Sequence, residues 1–226
     1  MNPMNILRYL GQFFGPAKRP LPAAYRGIPE TSQHADKSRD SVLLIDASIS
    51  MNQTDWKPSR SVAAQNAAIT FTKRRASEDP DSRIAIVAYG DEAASLSGLT
   101  VARRCRKLAR SINSVTVMGN TNITASLEMA FNLLQSSRCL GQVVLLTDGC
   151  HNTGPEPHDI SEKLKKRAII ECVGIGGSPE DVDEELLRYI ASPYPDGSKR
   201  YRWIGDKERL AQHFHNLAGR ITRVKP

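Results

Sequence analysis

Asp46, Ser48 and Ser50 alternate along the chain directly after the apolar run Val42-Leu43-Leu44-Ile45, so one carboxylate and two hydroxyls can be offered to the same small space. Two later segments carry groups of the same kind. The run Val143-Val144-Leu145-Leu146 continues into Thr147, Asp148 and Gly149, and between the two runs the polar stretch Gly119-Asn120-Thr121-Asn122 supplies a further hydroxyl at Thr121. Hydroxyls with one or two carboxylates and retained waters are what Mg²⁺ takes, because the ion demands near-octahedral oxygen ligands and gives up water reluctantly. As separate pieces the same residues would only form turns and cap loops. Their value as a site depends on whether the fold brings the segments together.

The elements that must do so are legible around them. Both apolar runs are continuous and rich in branched residues, which suits strands buried on both faces of a parallel sheet. Asp46 and Asp148 then stand where those strands leave the sheet, and in open α/β sheets ligands bind outside the carboxyl ends of the strands. Residues 119–127 form a turn rich in capping residues that opens a helix.

Asp-x-Ser-x-Ser, a threonine in a Gly-x-Thr-Asn turn and an aspartate after a late strand, in that order, resemble the metal-ion-dependent adhesion site of the von Willebrand factor A domain family. Asp46, Ser48 and Ser50 match the first segment, Thr121 the second and Asp148 the third, and the likeness runs from about Ser41 to the last helix. The resemblance implies a doubly wound, mostly parallel six-stranded sheet of order 3-2-1-4-5-6 with strand 3 antiparallel, making the strands that end in Asp46 and Asp148 neighbours. It also implies Mg²⁺, or Mn²⁺, touched by Ser48, Ser50 and Thr121, with Asp46 and Asp148 acting largely through waters. An ion with mainly neutral inner ligands keeps its attraction for one more anionic oxygen, which in this family is a Glu or Asp of a partner protein. The implied function is a non-enzymatic, metal-dependent interaction module. It is similar to short stand-alone bacterial members that serve as subunits or adaptors in stress resistance or defence, or beside AAA-type ATPases.

Along the rest of the chain, periodicity predicts helices over 58–77, 102–113, 123–137, 156–167, 179–191 and 207–221, and strands over 84–89, 92–99, 168–174 and 201–204. The strand over 92–99 reads as an antiparallel edge joined through Gly90-Asp91. With the two apolar runs, this alternation gives a sheet covered by helices on both faces. Residues 40–226 form this domain, and residues 1–39 differ from it. Ile6, Leu7, Leu10 and Phe14 fall at helical spacing before a Pro/Gly-rich linker, a stripe suited to packing on the domain or on a partner.

Charge adds one candidate surface. The chain carries +7, and the helix over 102–113 sets Arg103, Arg106, Lys107 and Arg110 opposite Cys105, Leu108 and Ile112. That stripe suits an acidic partner surface, or a nucleic acid if the protein is a scaffold for one. Aromatic residues are only 6%, and no helix-turn-helix or aromatic-rich binding pattern accompanies the stripe, which favours protein. A metal-dependent hydrolase is the remaining reading. Against it, an aspartyl-nucleophile phosphatase would want an acid where Ser48 stands, and G-x-S-x-G and phosphate-loop motifs are absent. Cys150 and His151 follow the second carboxylate but bring no partners at ligand spacing. No run approaches the ~20 apolar residues of a membrane span. Scattered cysteines and an opening stretch interrupted by Arg8 and Gln12 predict a reduced, cytoplasmic protein.

Overall fold

A computed structural model describes residues 40–219. The predicted stripe at Ile6, Leu7, Leu10 and Phe14 lies outside the described residues, as does Ile221 at the end of the last predicted helix. In chain order the elements are β1 (Asp40–Asp46), α1 (Arg60–Glu78), β2 (Arg83–Tyr89), β3 (Ala93–Val101), α2 (Cys105–Asn113), α3 (Ile123–Leu134), β4 (Gly141–Thr147), α4 (His158–Lys165), β5 (Ala168–Ile175), α5 (Glu184–Ile190), β6 (Tyr201–Ile204) and α6 (Lys207–Gly219). They build one six-stranded sheet of order β3-β2-β1-β4-β5-β6. β3 runs antiparallel to β2 and the other pairs are parallel.

Every residue of β1 and of β4 is buried, as a strand covered by helices on both faces requires. Leu43 and Ile45 point into the core formed with α1, α2 and α6, whereas Val42 and Leu44 point into the core formed with α3, α4 and α5. The alternation follows from the two-residue period of a strand. Because β1 and β4 are neighbours with Ile45 opposite Leu146, the carboxyl ends of both strands open side by side.

Several predicted boundaries move for local reasons. Pro58 lies ahead of α1, whose N-cap is Ser59, its hydroxyl accepting from the Val62 N–H at 3.3 Å. The helix predicted over 179–191 is two pieces: a 3-10 turn Pro179–Asp181 and then α5, separated at Val182, which is extended and buried. Asp183 restarts the helix by accepting from the Leu186 N–H at 2.9 Å. The helices predicted over 123–137 and 156–167 are shorter, and the edge strand runs on to Val101. A 3-10 turn, Ile49–Asn52, follows β1 where no element was predicted.

The sheet has two distinct poles. Asp46 marks one, and Asp40, where β1 begins beside Arg83, marks the other. α1 runs from the first pole to the second, and α6 runs parallel beside it: Lys207, at its start, bonds the Lys57 carbonyl at 3.0 Å, and a Cβ on Gly219, at its end, would meet Glu78 Oε2 at 3.2 Å. Among the described residues no helix is long and apolar enough to cross a membrane.

Candidate metal centre

At the carboxyl end of β1, the Asp46 carboxylate is buried and accepts from the Ser48 N–H at 2.8 Å and from the Thr147 hydroxyl at 2.6 Å. The first bond closes the turn that starts the 3-10 segment, and the second ties β1 to β4. Burial pushes the Asp46 carboxyl up to about 6, against these hydrogen bonds, which pull it down. Below it Tyr89, fully buried, donates to the Leu146 carbonyl at 3.0 Å and closes the floor of the site.

Ser48 and Ser50 face the same space, their hydroxyl oxygens 3.0 Å apart, and Ser50 donates to Asp148 Oδ1 at 2.7 Å. Thr121 arrives from the loop before α3. That loop is stitched to the turn after β1 by the Ile49 N–H bond to the Gly119 carbonyl at 2.9 Å and the Met118 N–H bond to the Ala47 carbonyl at 2.8 Å. On its other side the Thr121 N–H donates to Asn152 Oδ1 at 2.9 Å, and the Asn152 N–H returns a bond to the Thr121 carbonyl at 3.1 Å. A Cβ on Gly149 would meet Thr121 Oγ1 at 3.7 Å and Ser50 Oγ at 3.8 Å, which places these two hydroxyls around one point. Gly119 makes the turn possible, with φ of 87° and Asp91 packed where a side chain would stand.

Asp46, Ser48, Ser50, Thr121 and Asp148 therefore converge, from three loops, on one end of the sheet. The oxygen spacing suits Mg²⁺: cis ligands of an octahedral ion at about 2.1 Å lie roughly 3 Å apart. No group of three or more His, Cys, Asp or Glu able to hold a metal occurs among the described residues. The set here is a different kind, two carboxylates and three hydroxyls, suited to a hard cation and not to a soft one. His151 does separate work, its Nδ1 accepting from the Ile123 N–H at 3.2 Å at the start of α3.

Arg60 was missed by the sequence reading, and it belongs to this centre. Its guanidinium is 5% exposed, donates to Asp148 Oδ2 at 3.2 Å, and is clamped by Asp55 through Nε at 3.0 Å and Nη2 at 2.8 Å. Asp181 stands at 3.5 Å on the same nitrogen. Burial raises the Asp148 carboxyl, while Ser50 and Arg60 pull it down. The hydrogen bond from Arg60 lowers the Asp55 carboxyl. A helix N-terminus disfavours a cation. An arginine at the first position of α1 is therefore a sign that something else holds it, and Asp55 five residues earlier was the visible candidate.

The basic stripe is on α2, with Arg103, in the 3-10 turn ahead of it, exposed along with Arg106, Lys107 and Arg110. One of the four is not free: Arg103 pairs with Asp81 from the turn before β2. Asp81 lies outside the helix, so the pattern of the helix alone does not reveal the pair. The helix runs from the far pole, where the Arg103 N–H bonds the Pro80 carbonyl at 3.0 Å, toward the loop that delivers Thr121.

The profile of the von Willebrand factor type A domain matches residues 41–151, which include all five converging residues as well as Arg60. The chain carries a von Willebrand factor type A domain. A UPF0353 protein of Mycolicibacterium vanbaalenii is 27% identical over 210 residues, covering 80% of this chain and 59% of its own. A UPF0353 protein of Mycobacterium tuberculosis is 34% identical over 103 residues, or 46% of this chain and 28% of the relative. The chain spans about three fifths of the length of the first of these curated relatives. Among solved structures, a von Willebrand factor type A protein from Catenulispora acidiphila superposes with a TM-score of 0.68 at 20% identity, over 82% of this chain and 43% of that one. Proximal thread matrix protein 1 of the mussel byssus, whose MIDAS motif is occupied by zinc, gives 0.67 at 23%, over 81% and 46%. BatB of Bacteroides thetaiotaomicron gives 0.66 at 14%, over 81% and 98%. At these identities the structural likeness establishes the fold, that of a family whose domains commonly mediate protein interactions.

Proposed function

We propose that this von Willebrand factor type A domain is a non-enzymatic module that captures an acidic residue of a partner protein through a divalent cation, Mg²⁺ or Mn²⁺. Ser48, Ser50 and Thr121 would hold the ion directly, with Asp46 and Asp148 behind them. The ion supplies a positive charge to which a carboxylate can bind. The chain's own residues fix the hydroxyls at ligand spacing and keep the acids in place.

The observation that carries this reading is the convergence itself: two serine hydroxyls 3.0 Å apart, one of them bonded to Asp148 at 2.7 Å, beside a buried Asp46. The zinc in the MIDAS motif of the mussel protein supports a divalent ion at the corresponding place in the fold. A role as subunit or adaptor in a bacterial multi-protein system, working in the cytoplasm, completes the proposal. Its bacterial relatives support the source of such a system and nothing finer.

Calorimetry tests the metal. Mg²⁺ should bind the wild type with a stoichiometry of one and fail to bind Asp46→Ala, while the variant keeps its circular dichroism spectrum. Unchanged affinity in the variant would sink the assignment. For the partner, a pull-down repeated in EDTA should lose the acidic protein, and retention of it would make the ion structural only. Purified protein should show no turnover of phosphoesters or nucleotides; turnover lost on changing Ser48 would reverse the non-enzymatic reading.

A further inference from the structure

Residues 40–219 contain equal numbers of acidic and basic residues, so the +7 of the chain belongs entirely to residues 1–39 and 220–226. Within the fold the two signs are separated along the strand direction. The turns at the pole of Asp46 expose Asp91, Glu92, Glu156, Glu180 and Asp181. The turns at the opposite pole expose Arg103 and Arg104 after β3, Arg138 ahead of β4, and Lys166 and Arg167 between α4 and β5. Register fixes those places: Val101 lies opposite Arg83, which lies opposite Asp40, and the Gly141 N–H bonds the Arg167 carbonyl at 2.9 Å.

The acids of this second pole do not offset its cations. Asp40, Glu78 and Asp81 are each taken by another arginine, Arg83, Arg74 and Arg103 in turn. Arg104, Arg138 and Lys166 have no acidic partner among the described residues, and Arg167 stacks over the Phe131 ring at 5.7 Å. Helix ends explain only part of the pattern. Lys163 and Lys165 in the last turn of α4 suit a helix C-terminus. Arg104 is the reverse case, the N-cap of a helix with no acid in its first turn, where a cation opposes the partial charge of the helix itself. Arg138 belongs to no helix.

The turns that hold Arg104 and Lys166 are four strand spacings apart, about 19 Å, so the cations are spread over a broad end of the sheet and not along a groove. Such an array suits an anionic lipid surface, to which each Lys or Arg contributes without a fixed geometry. Two features favour lipid over nucleic acid. Asp40 and Gly219 both lie at this pole, so the surplus cations of residues 1–39 and 220–226 join the fold there. The sequence before Asp40 also supplies Ile6, Leu7, Leu10 and Phe14 at helical spacing. Stable attachment to a bilayer surface takes apolar insertion together with a basic patch, whereas phosphate contacts on a nucleic acid need only the charge.

We propose that the pole of Asp40 is a docking face for an anionic lipid bilayer, with Arg104, Arg138, Lys166 and Arg167 set against the headgroups. The acids at the pole of Asp46 are repelled by the same surface, so attachment also orients the domain.

The test is flotation of the whole chain with phosphatidylcholine vesicles, with and without phosphatidylglycerol as one lipid in three. EDTA is present throughout, so the outcome is independent of any ion at Asp46. Wild type should float with the phosphatidylglycerol vesicles, stay behind with pure phosphatidylcholine, and be released by high salt. Arg104→Gln, Arg138→Gln and Lys166→Gln combined should lower the affinity about a hundredfold, at about fivefold per cation. Lys57→Gln with Arg209→Gln, which removes two exposed cations at the other pole, should leave it within about twofold. Circular dichroism establishes that the triple variant is folded; if it is not, Arg138→Gln with Lys166→Gln, both in turns, should still lower the affinity about 25-fold. A folded variant that floats like wild type, equal flotation with both lipid mixtures, or an equal loss in the Lys57 and Arg209 variant overturns the proposal. It falls as well if wild type ignores both vesicles and uses the same three cations to bind duplex DNA or RNA, or to form salt-sensitive oligomers with the acidic pole of a second copy.

Discussion

Asp46 is a carboxylate placed where, without a cation, its charge is expensive, and its titration makes that measurable. Burial raises it from 3.8 to about 6. The folded state therefore prefers the protonated form. Below the unfolded value there is no penalty, and as pH rises through 6 the metal-free protein loses on the order of 3 kcal/mol at this group. Binding of the proposed cation would run the other way, since only the ionised form of Asp46 attracts it, directly or through water. The gain in melting temperature on adding Mg²⁺ should thus be small near pH 5 and grow through pH 7, and Asp46→Asn should remove both trends. A Mg²⁺ stabilisation independent of pH over that range would refute the assignment of Asp46. The five ligand candidates were legible in the sequence because each sits at a fixed distance from a strand end or a helix start, so local pattern implies position. Arg60 was not, because its bond to Asp148 spans 88 positions and depends on how α1 lies across the sheet. Only its awkward location at a helix N-terminus hinted at it.

At the scale of elements, the loop before α3 bears on function most directly. Gly119 holds φ of 87° and Asp91 fills the place of its side chain. Gly119→Ala should cost roughly 1 to 3 kcal/mol in unfolding free energy. It should also weaken Mg²⁺ binding, since the same loop carries Thr121. Chemical denaturation and calorimetry on one preparation check the two effects, and a fully stable variant with intact ion binding would show that the turn does not position the threonine. Ser59→Ala, removing a cap of α1, should cost about 1 kcal/mol and leave ion affinity within a few-fold. The order of strands and the antiparallel β3 matched the expectation from the family resemblance, and buried runs such as Val143 to Leu146 were plain from composition. The break at Val182 was not, because Leu186, Leu187 and Ile190 keep helical spacing beyond it and the extended residue is an ordinary valine. Val182 is buried at the break, and the one local signal was Asp183, a capping residue that restarts the helix.

For the molecule as a whole, the charge on α2 predicts a kinetic effect. Arg106→Glu with Lys107→Glu should slow association with the acidic partner and flatten its salt dependence, leaving dissociation and Mg²⁺ affinity little changed. Stopped-flow traces over a range of ionic strength would show it, and an unchanged association rate would remove α2 from the docking path. Arg103 is a poorer target, because charge reversal there also breaks the pair with Asp81. The two poles of the sheet carry a different lesson. Asp40 and Gly219, the limits of the described fold, both lie at the pole remote from Asp46, roughly 20 Å away along β1. The domain is therefore built like a plug whose cable leaves from the back. A segment joined at either limit would leave the face that carries Asp46, Ser48, Ser50, Thr121 and Asp148 turned outward, and several such domains strung on one support would present that face in parallel.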